Sequence, residues 1–226
     1  VPELFQLSAR VARERRWRVT THLAESLPEF EMFSRRRGDL YQWLRLQRDV
    51  SDCGAGSPVQ HAARNGLLGP NLLAVHVNYL ADGDAELLAK RQTHVVHCPR
   101  SHAYFKHQRF PARELAGAGV NLCLGTDSLV SVLKKRGQRP RLSMFDEMRT
   151  LAAAEPDLTP RDILRMATVN GAAALGLRGQ IGTLTSGAFA DLIAVPHTGK
   201  VEDIYETLTR FQGTVQASMI DGEWAI

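Results

Sequence analysis

Four residues of the types that bind metals or move protons stand at or just past the ends of short apolar runs. His22 closes Arg18-Val19-Thr20-Thr21-His22, His76 closes Leu72-Leu73-Ala74-Val75-His76, and His97 closes Thr93-His94-Val95-Val96-His97. Asp127 follows Val120-Asn121-Leu122-Cys123-Leu124, inside Gly125-Thr126-Asp127-Ser128. Imidazole and carboxylate suit zinc and similar divalent ions. A bound metal lowers the pKa of water toward ~7, which makes hydroxide available at neutral pH. A carboxylate that touches both metal and water is then the natural general base. Glu25 comes three residues after His22 and is placed to carry a proton to a substrate.

Residues so far apart act together only if the elements bring them to one place. The β-branched and apolar runs read as short strands buried on both faces, and helical stretches separate them. That rhythm predicts a parallel sheet of βα units. In a parallel barrel the C-terminal strand ends form one rim, where active sites are built. Helices are predicted at residues 3–16, at 41–44 within the long region 28–68, and after a cap at Asp82 through Glu86 and Ala89. Further helices are predicted at 112–118, 144–153 and 160–167. The tail changes character, with strands at 190–195 and 215–220 around Gly and Pro turns.

The bulk numbers permit a sizeable core: 226 residues, 44% of them hydrophobic, with a mean hydropathy of -0.21. No stretch approaches the ~20 apolar residues of a membrane span, and no apolar leader segment is visible. Cys53, Cys98 and Cys123 are an odd number without CxxC spacing. They point to reduced thiols in a cytoplasmic protein. Net charge is +4, and the densest basic runs are Arg35-Arg36-Arg37 and Lys134-Lys135-Arg136. Neither carries the interleaved aromatics of a single-strand platform, so both read as solvated faces, and neither nucleic acid nor a membrane is an expected partner. The chain opens Val1-Pro2 and its first methionine is Met32, which reads as a natural start lost upstream.

The ordered set His22-Leu23-Ala24-Glu25-Ser26, His76-Val77-Asn78-Tyr79-Leu80, His97-Cys98-Pro99-Arg100-Ser101 and Leu124-Gly125-Thr126-Asp127-Ser128 resembles the fifth-to-eighth-strand motifs of the amidohydrolase superfamily. The likeness is to the branch with guanine, cytosine, adenosylhomocysteine and aminodeoxyfutalosine deaminases and triazine hydrolases. Downstream, residues 167–176 resemble that family's post-barrel helix. Gly182-Thr183-Leu184, Gly187 and Ala190-Asp191-Leu192-Ile193 resemble its return into a small β-sandwich. The resemblance implies residues 1–180 as the C-terminal half of a TIM-type (β/α)8 barrel and residues 181–226 as strands of the sandwich. It implies His22 and Asp127 as ligands of one divalent metal, zinc before iron or manganese. Asp127 would also be the general base, Glu25 the proton shuttle to a ring nitrogen, and His76 the residue that polarises substrate or orients the attacking hydroxide. His97 and Ser101 join His76 as substrate contacts. His61, His94, His107 and His197 match no motif and read as surface or packing.

The implied reaction is hydrolysis of a C–N bond by metal-activated hydroxide, most simply deamination of a small N-heterocyclic or nucleoside-like substrate, in a full-length protein expected to form homo-oligomers. Hydrolysis of an amide or chloro substituent on a similar ring uses the same parts. The family's remaining metal ligands come from a His-x-His pair on the first barrel strand, and this chain has no His-x-His. A complete barrel takes about 250 residues. Half of one exposes two sheet edges, and two ligands hold a catalytic zinc poorly. The chain alone is therefore expected to be inactive and poorly soluble. The alternative reading is a non-catalytic remnant or one partner of a split barrel. A nucleic-acid-binding module, which would need both basic runs on one face, comes third.

Overall fold

A computed structural model describes residues 2–133, 137 and 139–226. The basic run Lys134-Lys135-Arg136 lies outside the described residues. The order begins α1 (Pro2–Arg15), β1 (Val19–Leu23), α2 (Leu27–Arg35), α3 (Asp39–Leu44), α4 (Pro58–Arg64), β2 (Leu72–His76). It continues α5 (Asp84–Lys90), β3 (His94–His97), α6 (Pro99–Phe105), α7 (Ala112–Gly117), β4 (Leu122–Leu124), α8 (Met144–Ala154). It ends α9 (Pro160–Ala167), α10 (Val169–Leu175), β5 (Leu192–Ala194), α11 (Ile204–Arg210), β6 (Ala217–Ile220), β7 (Glu223–Trp224). Two compact units share these elements: Val1–His97 with Lys106–Leu122, and Cys98–Phe105 with Cys123–Ile226.

The first unit is built on parallel strands. β1 pairs with β2 and β2 with β3, and Thr21, Ala74 and Val95 lie side by side. The Val95 N–H donates to the Asn121 carbonyl at 3.1 Å, so the chain enters β4 at Leu122 alongside β3. Leu72, Ala74 and Val95 are completely buried. That burial explains why the β2 run is apolar up to His76 rather than alternating. The C-terminal ends of β1, β2 and β3 therefore face the same way.

Helix starts follow local chemistry. The Ser26 hydroxyl accepts the Glu29 N–H at 3.3 Å, with Pro28 in the first turn. Ser57 does the same for Gln60 at 3.1 Å, ahead of Pro58. One expectation is corrected: Asp82 does not cap α5. Gly83 takes the cap position at φ 84°, a left-handed conformation glycine reaches without strain. Asp84 turns back instead to accept the Ala81 N–H at 2.8 Å and the Ser57 hydroxyl at 2.8 Å.

In the second unit α8, α9 and α11 pack together around Met148, Leu151, Ile163 and Met166, all buried. Ser143 caps α8 and Thr159, followed by Pro160, caps α9. α10 stops at Gly176, φ 78°. The tail forms an antiparallel sheet in the order β5-β6-β7. Its first two strands are shorter than the runs at 190–195 and 215–220 suggest.

Candidate active site

The two histidines that close β1 and β2 meet. Leu23 lies beside His76 in the parallel register, and the His22 and His76 rings stand 4.8 Å apart, centre to centre. Glu25, just past β1, brings a carboxylate oxygen to 3.6 Å from His76 Nε2. One ligand atom from each of His22, Glu25 and His76 lies within 4.8 Å of the other two. His76 is buried, Glu25 half-buried and His22 exposed, so one side of the cluster is open to an incoming molecule.

Backbone contacts hold this cluster from beneath. The Val77 N–H donates to the Leu23 carbonyl at 3.0 Å and the Asn78 N–H to the Ala24 carbonyl at 2.9 Å. The Asn78 side-chain amide donates to the Glu25 carbonyl at 2.9 Å. Glu29 closes the turn from the other side, accepting the Ala24 and Glu25 N–H groups at 2.8 Å each. Burial pushes its carboxyl above the usual range, against the pull of those N–H groups. The turn pays in strain: Ala24, His76 and Val77 have φ of 50°, 74° and 50°. Positive φ at a β-branched residue such as Val77 is rare, and such strain concentrates at functional sites.

Asp127 is held in the second unit, also with φ of 50°. Its Oδ2 accepts the Ser101 hydroxyl at 2.5 Å and the Ser131 hydroxyl at 2.9 Å. Ser101 sits on α6, which starts directly after the histidine that closes β3. Ser131 sits on a short 3-10 turn capped by Ser128. Charge-assisted hydroxyl bonds of this length orient a carboxylate firmly.

His97 belongs to a different arrangement. It is buried and stacks on Phe110, ring centres 3.7 Å apart and planes 12° from parallel, a packing contact within the first unit. His61 is likewise packing, buried between Phe5 and Phe33. Cys53 is fully buried, and burial raises its thiol pKa, the opposite of what a nucleophile needs.

The structure thus groups His22, Glu25 and His76, and separately groups Ser101 with Asp127. Asn78, Glu29, Ser131 and Glu147 were not singled out from the sequence. Signals existed: Ser26-x-x-Glu29 is a capping-box pattern, and Glu147 interrupts the apolar stripe Met144, Met148, Leu151.

Two imidazoles and a carboxylate are the donor set that zinc and its neighbours take. Ligand bonds of about 2.0–2.2 Å join atoms a few ångströms apart, as the 3.6 Å between His76 and Glu25 requires. These residues fit a divalent metal.

Known proteins share this arrangement of elements. Over 201 residues the chain is 36% identical to a 5-methylthioadenosine/S-adenosylhomocysteine deaminase of Syntrophobacter fumaroxidans, covering 86% of this chain and 40% of that protein. A 5'-deoxyadenosine deaminase of Methanosarcina mazei is 35% identical, covering 70% of this chain and 38% of the relative. The structure of an adenosine deaminase from Xanthomonas campestris with bound zinc superposes with a TM-score of 0.81 at 27% identity, over 100% of this chain and 49% of that one. The chain therefore spans about 40% of the length of these curated relatives. The Amidohydrolase family matches residues 2–225, and the chain belongs to that family.

Proposed function

We propose that this chain is the part of a metal-dependent deaminase that supplies its proton-transfer residues, acting on an adenosine-type nucleoside or similar amino-substituted N-heterocycle. The observation that carries the reading is the meeting of His22, Glu25 and His76 at the ends of adjacent parallel strands. The names of the relatives at 35–36% identity support the substrate class.

His22 would hold the metal, with His76 and Glu25 within reach of it. When bound, the divalent ion, zinc by preference, supplies the positive charge that makes water acidic enough to react at neutral pH. Asp127, oriented by Ser101 and Ser131, takes the proton of the attacking water. Glu25 delivers its proton to the ring nitrogen, and the proton taken up by Asp127 passes to the amino group, which leaves as ammonia. His76, 3.6 Å from Glu25, donates to the substrate and holds that carboxylate in line. Ser101 and Ser131 act through Asp127, and His97 supports the pocket wall through Phe110.

Three cysteines without a disulfide among the described residues support a reducing compartment, the cytoplasm. None of the described helices is long and apolar enough to cross a membrane. The substrate is a small molecule, and the full-length protein is proposed to assemble as a homo-oligomer.

The test is ammonia release by the full-length protein from 5'-methylthioadenosine, S-adenosylhomocysteine, 5'-deoxyadenosine and guanine, with metal content measured alongside. We expect release from an adenosine-type substrate and about one divalent ion per active site. A metal-free protein that releases ammonia at full rate, or none from any of the panel, would sink the reading.

A further inference from the structure

Glu147 is a charged side chain in the wrong place for a surface helix. It lies one turn into α8, is fully buried, and shares the helix face of Met148 and Leu151. Burying a carboxylate costs several kcal/mol unless partners compensate. Its Oε2 accepts the Arg100 backbone N–H at 2.9 Å. Its Oε1 has no hydrogen-bond partner among the described residues and lies 3.8 Å from the Arg100 guanidinium.

Arg100 is the second residue of α6, after Pro99. Proline has no N–H, and the next N–H groups of a helix have no partner inside it. Glu147 therefore satisfies an otherwise orphaned donor and fixes where α6 starts. The Arg100 side chain reinforces the same point by donating to the Arg141 carbonyl at 2.8 Å and lying 3.6 Å from Asp146. The residue after Arg100 is Ser101, buried, whose hydroxyl is 2.5 Å from Asp127 Oδ2. One chain of contacts thus runs from α8 through the first turn of α6 to Asp127.

We infer that Glu147 is a positioning residue: by holding the Arg100 N–H it sets the Ser101 hydroxyl on Asp127 and so the aim of that carboxylate. This role rests on Asp127 being the proton acceptor proposed above. The separation of acceptor chemistry from volume makes it testable. Glu147→Gln keeps an oxygen at the same reach. Glu147→Leu keeps comparable bulk without an acceptor. Glu147→Asp keeps the charge but withdraws it by one methylene.

In the full-length protein, Glu147→Leu and Glu147→Asp are expected to lower kcat about 10- to 100-fold, the usual effect of removing such a support. KM and metal content should stay within about twofold. Glu147→Gln should recover most of the rate. Hydrogen exchange in the full-length protein should show faster exchange at Arg100 and its helix in the Leu and Asp variants only. If Leu fails to fold, the Asp–Gln contrast still decides. Wild-type kcat in a folded Asp variant, or unchanged exchange at Arg100, overturns the role of Glu147 alone. A wild-type protein that releases no ammonia overturns the reaction itself, and the role with it.

Discussion

Glu25 and His76 face each other across 3.6 Å, and the backbone of Glu25 is tied down by Glu29 and Asn78. Replacing Glu25 with Gln keeps shape and hydrogen-bonding reach and removes the titratable proton. In the full-length protein it should lower kcat by about 10²–10⁴-fold with KM little changed; a variant within threefold of wild type, roughly 0.7 kcal/mol in barrier, would remove Glu25 from proton transfer. Glu147 gives a second prediction at this scale. Its pKa is raised to about 7, first by burial and then by Asp146 and Asp127, while the Arg100 N–H and guanidinium pull it down. The folded chain therefore binds more protons than the unfolded chain between about pH 4.5 and 7. Stability from this group is fully present below that window and is lost as pH rises through it, by up to about 3 kcal/mol. Glu147→Gln should flatten that part of the profile in denaturant melts. Identical profiles for the two proteins would contradict it. Neither Glu147 nor Ser131 is legible from residue type alone, because serine and glutamate are ordinary surface residues until their burial is known. His22, His76 and Asp127 are legible because strand ends mark them.

At the scale of elements, the segments beyond β1, β2 and β3 are each held by a buried or half-buried carboxylate that accepts a backbone N–H. Glu29 serves the turn after β1, Asp84 the segment after β2, and Glu147 the start of α6 after β3. Burial raises the pKa of all three. The cap on α2 is part of the first clamp, since the Ser26 hydroxyl accepts the Glu29 N–H. Ser26→Ala should cost about 1 kcal/mol, seen as a lower denaturation midpoint with an unchanged slope; no shift would show that Glu29 alone holds the turn. Strands β2 and β3 were readable because buried parallel strands leave β-branched, apolar runs of the right length; β1, exposed at Thr20 and His22 rather than buried on both faces, was readable from its β-branched residues alone. α6 was not, because Cys98-Pro99-Arg100-Ser101 reads as a loop until Pro99 is seen to occupy a helix start. α5 begins later than Asp82 suggests because glycine at residue 83 takes the left-handed cap. β7 has two exposed residues and no periodicity to read.

Across the whole molecule, the fold class follows from the alternation of strands and helices, and the ordered motifs identify the family. Neither supplies the His-x-His pair, which is absent from these 226 residues. With His22, Glu25, His76 and Asp127 alone, the chain should bind zinc more weakly than the full-length protein in calorimetric titrations. Equal affinities would show that the cluster is a complete site. The net charge of +4 adds no expectation of nucleic-acid binding, and affinity for DNA with a steep salt dependence would require revision of that view. The central claim is that these strand-end residues work on a bound divalent metal to release ammonia. Its most direct test is the rate of ammonia release from 5'-methylthioadenosine by the full-length protein before chelation, after chelation to metal-free protein, and after zinc is returned. The account predicts loss of more than about 100-fold in rate, roughly 2.7 kcal/mol in barrier, with recovery on zinc addition; a rate that is unaltered in the metal-free protein would contradict it.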